Sequence, residues 1–346
     1  MPLLTGLPDD IAQEILYRVT PSLLYSVSHS WRNLIYSPSF PPFLSLYALL
    51  SSNDNSLVQF LSFDPISSTW SSLPDPHLLH SPLVLRHPSF IARNFPIQSI
   101  SIADRLVLLA ATTHHLFPAL SHPLIFNPFT KTWHHGPSFS TPRRWCATGS
   151  VGNSVYLASG VGSSGYTQDL AQSAEKWNVL NGTWEKVASL KHGGRFSREA
   201  VEAVGWRGKL CVVNVKGNVV KEGVVYDVEK DTWQEMAEGM LIGWNGPTAA
   251  MDEDVIYNVD EVKGILMRYD SERDLWESVV EYDELKGAVQ IAARGGKVCV
   301  VCGGGGSVVV VDVVARPCKI MVVDPPGDMK FVSVHVLPRT SHESKI

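Results

Sequence analysis

The 346-residue sequence predicts a mainly β protein, a six-bladed β-propeller preceded by a small helical segment. Three observations predict it. An eight-residue pattern (aromatic, Asp or Asn, five residues, Trp) occurs five times in full. A turn residue followed by an apolar β-run stands upstream of the copies. The first forty residues carry helical periodicity.

The helical segment comes first in the chain. Pro8, Asp9 and Asp10 suit a first helical turn, where a missing N–H costs nothing and acids complement the dipole. Ile11, Ile15, Leu16 and Val19 share a face; Thr20-Pro21 starts a second helix with Leu23, Leu24 and Val27 inward; Trp31, Leu34 and Ile35 form a third face before Pro38. Helices this short bury little surface alone, so a partner or the propeller must cover them.

The full copies of the repeated pattern run from Phe63 to Trp70, Phe126 to Trp133, Trp177 to Trp184, Tyr226 to Trp233 and Tyr269 to Trp276. A degenerate sixth runs from Val311 to Cys318, with Cys in the Trp place. Closing positions are 63, 51, 49, 43 and 42 residues apart. The pattern reads as a hairpin: the aromatic and the acid end one strand, Asp or Asn bonds the turn backbone, and Trp opens the next strand. A large ring at one place in every unit suits packing between sheets. Upstream lie the apolar runs Leu106–Leu109, Val155–Ala158, Leu210–Val213, Val255–Val259 and Val298–Val301, each preceded by a strand of small and branched residues such as Ala147–Val151 or Thr248–Met251. Four short strands per unit, repeated about six times, is the signature of a propeller.

The first unit lacks an inner strand, since it begins at Phe43–Leu50, a second-strand sequence. Phe331–Leu337 is an orphan strand after the sixth unit. An open ring would expose a strand edge, so Phe331–Leu337 is expected to supply the inner strand of blade one.

Composition narrows the function classes. Apolar residues make up 45% of the chain and charged residues 18%, and the net charge of −5 gives no general attraction to nucleic acid. Residues 41–168 hold 6 Lys and Arg against 4 Asp and Glu, whereas residues 169–346 hold 21 against 27, which reads as drift between repeats. Five cysteines without framework spacing fit a reducing compartment, cytoplasm or nucleus. The N-terminus lacks a basic region before its apolar residues, and no apolar run nears membrane-span length, so neither a signal peptide nor membrane insertion is expected.

On these residues the units resemble kelch repeats over roughly residues 41–340, with Gly303-Gly304 matching the kelch double glycine and Gly160 half of it. The first forty residues resemble an F-box through Leu7-Pro8, Ile11, Ile15-Leu16, Val27 to Arg32 and Ser37 to Phe40. Together they resemble the plant F-box/kelch-repeat proteins. The resemblance implies an F-box at 1–40, a propeller at 41–340 and a flexible tail at 341–346. It further implies that the F-box binds a Skp-type adaptor, and through it a cullin scaffold, while the propeller holds a protein to be ubiquitinated and degraded. The chain itself would do no chemistry and need no cofactor. The adaptor-binding residues so implied are Leu7, Pro8, Ile11, Ile15, Leu16, Leu24, Val27 and Trp31.

The candidate target-binding residues sit where the chain enters inner strands: Arg143, Arg144 and Trp145, then Arg195 and Arg198, then Trp244 and Asn245. Such residues are enriched at interaction hot spots. The competing reading packs the tryptophans between blades and leaves the arginines to cover them. Cys299 and Cys302, at i and i+3 on a strand, point to opposite faces and so do not share a metal. The adjacent pairs His114-His115 and His134-His135 lack a neighbouring acid or Cys, and Gly303–Gly306 lacks the Lys-Ser/Thr of a phosphate loop. The alternative class is an oxidase-like or lyase-like propeller enzyme, its N-terminal segment unrelated.

Overall fold

A computed structural model describes residues 2–37, 39–52, 58–76, 83, 97–180, 182–191, 196, 201–214 and 221–339. The expected tail at 341–346 lies outside them. Three helices, α1 (Asp9–Leu16), α2 (Pro21–Val27) and α3 (His29–Ile35), precede six four-stranded antiparallel sheets. The sheets are the blades of a propeller. Their inner strands, in ring order from blade 1, are Lys330–Pro338, Ile97–Ile102, Ala147–Val151, Val201–Trp206, Thr248–Met251 and Gln290–Arg294. The strand order of blade 1 places the C-terminal strand beside Leu44–Ser51, so the last strand closes the ring as expected.

The repeated hairpins explain the blade spacing. In five blades the aromatic residue pairs directly with its Trp: Phe63 with Trp70, Phe126 with Trp133, Trp177 with Trp184, Tyr226 with Trp233 and Tyr269 with Trp276. The paired rings lie 5.1–5.7 Å apart. The Asp or Asn that follows accepts a backbone N–H two or three residues on, from Ile66, Phe129, Leu180, Lys230 and Glu272 in turn, at 2.8–3.1 Å. These side-chain-closed turns hold the Trp at a fixed height. Each indole N–H then donates to a carbonyl just past the outer strand of the preceding blade: Trp70 to Asp324, Trp133 to Pro74, Trp184 to Pro137, Trp233 to Ala188 and Trp276 to Met240, at 2.6–3.1 Å.

The sixth copy departs from expectation. Val311 pairs with Ile320 and Asp312 with Lys319, so the turn is two residues longer and Cys318 does not occupy the Trp place. The interface between blades 5 and 6 is instead aliphatic, with Leu266, Leu285, Val309 and Val311 packing against Tyr257 and Ile320. Cys299 and Cys302 do face opposite ways: Cys299 packs toward blade 1 and Cys302 toward blade 5.

Inner strands present one backbone edge to the channel, and those polar groups need partners. The side-chain amide of Gln98 pairs with both backbone groups of Cys146, and that of Gln290 with both groups of Val334. Blades 3 and 4 approach so closely that a Cβ on Gly205 would lie 1.7 Å from the Ser150 carbonyl oxygen, which requires glycine there. The closing strand is tied to blade 2 by His335, whose Nε2 lies 2.8 Å from Ser99 Oγ and whose Nδ1 lies 3.1 Å from Ser101 Oγ. A neutral imidazole offers one donor and one acceptor, which matches two hydroxyls.

Burial lowers the His335 pKa to about 3, so the folded protein keeps this ring neutral while the unfolded chain protonates near the ordinary 6.5. The stabilisation is complete above the unfolded value and declines as pH falls below it. Acidification from pH 7 to pH 5 is expected to remove about 2 kcal/mol through this group. Urea unfolding of the wild type and His335→Gln at both pH values measures it. Equal pH dependence in the two proteins would show that His335 is not the source.

Candidate functional site

Two surfaces stand out, at opposite ends of the blades. The helical module rests on blade 1 at the exits of its inner and third strands. The loops that enter the inner strands lie at the other end.

In the module, Asp9 and Asp10 occupy the first turn of α1, and Ser28 caps α3 by accepting from Trp31 N at 3.2 Å. Leu16, Leu24, Leu34, Ile35 and Phe40 form its core, joined by Phe43 and Ile66 of blade 1. Trp31 is half-buried, and its indole N–H donates to the Leu3 carbonyl at 2.7 Å, tying down the N-terminal turn. Leu7, Ile11, Ile15 and Val27 remain exposed at 38–58%, as does Pro8. Leu16 and Leu24, expected on the adaptor face, are instead core residues, since Ile11 and Ile15 make one stripe of α1 while Ala12 and Leu16 make the adjacent, inward one. Leu23 was expected inward but is 61% exposed and belongs with the outer stripe. Isolated exposed apolar residues are common, but here Ile11 and Ile15 stand one turn apart on α1, as do Leu23 and Val27 on α2, and such exposed apolar pairs on one small module call for a cover.

At the other end, the expected residues divide by burial. Arg143 is buried, with Nη2 3.0 Å from Glu175 Oε2 and Nη1 donating to the Ser159 carbonyl and Ser173 Oγ. Ser140 Oγ donates to the other Glu175 oxygen. This satisfied ion pair shapes the loop and offers nothing to a partner, so Arg143 is not a contact residue. Trp244 is fully buried, its indole N–H bonded to Glu202 Oε2 at 2.9 Å and its ring edge-on to Trp276. It packs between blades and is likewise corrected. Arg195 and Arg198 lie outside the described residues. Asn245 is exposed and accepts from Lys221 Nζ.

Arg144 is also buried, its Nη1 donating to the Gly162 carbonyl at 3.2 Å, and the Arg144–Trp145 step is distinguished by its backbone. The backbone of Arg144 pairs in both directions with Val161 at 2.9 Å, and its guanidinium lies 4.6 Å over the half-buried Trp145 ring. Trp145 has a φ of +53°, a left-handed conformation rarely held by a bulky aromatic. The surroundings impose it: Gly160, at φ +105°, lets the Arg144 carbonyl approach to 3.0 Å of where its Cβ would stand. Strain held in place by its surroundings clusters at functional positions. Exposed apolar residues share this end of the propeller: Leu116 and Phe117 in blade 2, Tyr166 in blade 3, Ile242 in the loop entering blade 5, Val262 in blade 5 and Val289 in the loop entering blade 6. Sequence reading passed over these, although His114-His115-Leu116-Phe117 is an apolar pair inside a turn-rich stretch.

Between the two ends runs a channel of ≈ 380 Å³ walled by the six inner strands. Its module end is bridged by Glu253, which accepts from Gly152 N at 2.9 Å, and by Arg294 donating to Asp104. The thiols of Cys146, Cys211 and Cys299 are pushed up to about 12 by burial and stay protonated at neutral pH, which removes them as nucleophiles. Among the described residues, no group of three or more His, Cys, Asp or Glu is placed to hold a metal ion, and no helix is long and apolar enough to cross a membrane.

Comparison with known proteins gives matches to plant F-box and kelch-repeat proteins over most of the chain. The chain is 48% identical to the F-box/kelch-repeat protein SKIP25 of Arabidopsis thaliana, covering 98% of this chain and 90% of that protein. It is 26% identical to the F-box protein AFR of the same plant over 71% of this chain and 65% of the relative. The Arabidopsis F-box/kelch-repeat protein At1g22040 is 22% identical over 80% and 71% of the two chains. No family model matches the chain.

The two tryptophans of the entrance loops are expected to respond oppositely to truncation. Trp145→Gly loses ring packing but relieves the left-handed backbone, for a net change within about 1 kcal/mol. Trp244→Ala empties a buried site and is expected to cost about 3–5 kcal/mol. Urea denaturation separates them; equal losses would make Trp145 as much a core residue as Trp244.

Proposed function

The chain belongs to the F-box/kelch-repeat proteins, and from that premise we propose that it is the substrate-receptor subunit of a Skp–cullin–F-box ubiquitin ligase. One observation carries the reading. The module exposes the apolar residues Leu7, Ile11, Ile15, Leu23 and Val27, while a separate surface with strained Trp145 lies at the far end of the blades. A receptor needs two surfaces kept apart in this way. The module stripe binds a Skp-type adaptor and, through it, the cullin scaffold. The entrance end binds the protein to be ubiquitinated, with Trp145, Phe117 and Tyr166 as its contacts and the buried Arg144 supporting the Trp145 ring. The chain supplies no reacting group; it raises the local concentration of target near the ligase. It works in the cytoplasm or nucleus.

The corrected stripe sharpens the experiment. Ile11→Ser with Leu23→Ser replaces two exposed residues, so the fold is unaffected. Hot-spot losses of ~2 kcal/mol each weaken binding about thirtyfold per site. Adaptor co-purification is expected to vanish in the double variant, and calorimetry with purified adaptor gives the affinity. A Trp145→Gly, Phe117→Ser variant is expected to keep the adaptor and lose captured targets. Wild-type adaptor affinity in the stripe variant would overturn the reading.

A further inference from the structure

The module is held to the propeller by a residue from the opposite end of the chain. Arg339 follows directly on the strand that closes the ring, and its backbone N–H donates to the Phe43 carbonyl at 3.0 Å. Its guanidinium reaches under the module. Nη2 donates to the Ile35 carbonyl at 2.5 Å and the Ser37 carbonyl at 3.2 Å. Ile35 ends α3, and carbonyls at a helix C-terminus lack intrahelical partners and carry partial negative charge. Arg339 therefore caps a helix 304 residues away in sequence.

The rest of its environment is aromatic. The guanidinium carbon lies 4.8 Å from the centre of the Phe43 ring and 5.6 Å from that of Tyr36. Arg339 is 8% exposed, and its Nε and Nη1 have no hydrogen-bond partner among the described residues. A planar, delocalised cation is what such a slot between rings accepts, whereas an ammonium is a strongly hydrated point charge. Alongside, Tyr36 Oη donates to Asp64 Oδ2 at 2.5 Å, and Asp64 belongs to the repeated turn of blade 1. The ring-closing strand, the first blade and the helical module thus meet at one cation.

We infer that Arg339 is a positioning residue: it locks the helical module to blade 1, so that the adaptor stripe and the entrance end turn as one body. The inference rests on the ligase reading. In ubiquitin transfer, a lysine amine attacks the thioester carbonyl of ubiquitin carried by a conjugating enzyme; the C–N bond forms, the C–S bond breaks, the cysteine leaves as thiolate and the amine proton passes to solvent. Which lysine reacts depends on which amine the scaffold brings within ~3–3.5 Å of that carbonyl. A locked module selects among lysines; a swinging one samples them. Lys263, 69% exposed, lies at the entrance end, and Lys230, 72% exposed, lies at the module end. They serve as built-in reporters.

The experiment compares the full-length wild type with R339A and R339K, each bound to adaptor, cullin scaffold and ubiquitin-charged conjugating enzyme. Mass spectrometry gives the ratio of self-modification at Lys263 to that at Lys230. The wild type is expected to favour Lys263, and R339A to move the ratio at least threefold toward one, with adaptor affinity unchanged within twofold. A role confined to stability would lower yield and leave the ratio alone. If R339A fails to fold, R339K decides, because it keeps the charge but loses the fork and the stacking; a shifted ratio supports the latch and a wild-type ratio overturns it. If the wild type does not bind adaptor, the ligase reading falls, and spin labels at Arg18→Cys and Lys230→Cys in a Cys318→Ser background test the latch alone. A broader distance distribution in R339A supports it; identical distributions overturn it.

Discussion

The indole N–H that reaches back to the preceding blade is the bond on which the architecture turns. A sheet has no intrinsic reason to stop at four strands or to sit at a fixed angle to its neighbour. Here the turn acid fixes the hairpin, the hairpin fixes the Trp opposite its aromatic partner, and the Trp fixes the preceding blade by one directed bond and one large flat contact. Where tyrosine is the partner the tie is doubled: Tyr226 Oη donates to Asp231, whose same oxygen accepts from Ala188 N of the previous blade. Blade 6 lacks the indole and substitutes a dry aliphatic seam. Its contact with blade 5 therefore rests on packing, without a directed bond of this kind.

The ring was legible in the sequence because its determinants are local. Aromatic, acid and Trp lie within eight residues, so the pattern survives the variable loops between copies. The closing strand was legible for a different reason: a first unit without an inner strand and a last strand without a unit imply each other. The sixth hairpin was misread because Cys318 falls at the usual spacing while the turn is two residues longer, a difference that only strand pairing exposes.

The entrance loops were harder because their meaning depends on distant partners. Arg143 resembles a contact residue until Glu175, 32 positions on, neutralises it. Trp244 does so until Glu202, 42 positions earlier, accepts its N–H. The pair Arg143–Glu175 shows what such burial achieves. An uncompensated buried charge costs about 3–5 kcal/mol, but here four bonds satisfy the guanidinium and carboxylate, leaving a rigid base beside the strained Arg144–Trp145 step. In the helices the error came from a rotation. Consecutive residues differ by about 100° on a helix, so Ile15 and Leu16, or Leu23 and Leu24, divide between an outer stripe and the core, and pattern alone does not say which is which when the helix has only two turns.

The placement of Arg339 gives the protein a temporal logic. The helical module is synthesised before every blade of the ring, and Ile35 lies 304 residues ahead of the Arg339 that caps it. Its seat on blade 1 is completed only when the last strand of the ring has been made and inserted. A nascent chain thus carries the exposed apolar residues of the module long before they have a defined direction, and a chain cut short in the final blade never acquires one. Orientation of the module becomes a property of the finished ring, so the last strand made decides when the two ends of the blades acquire a fixed relation.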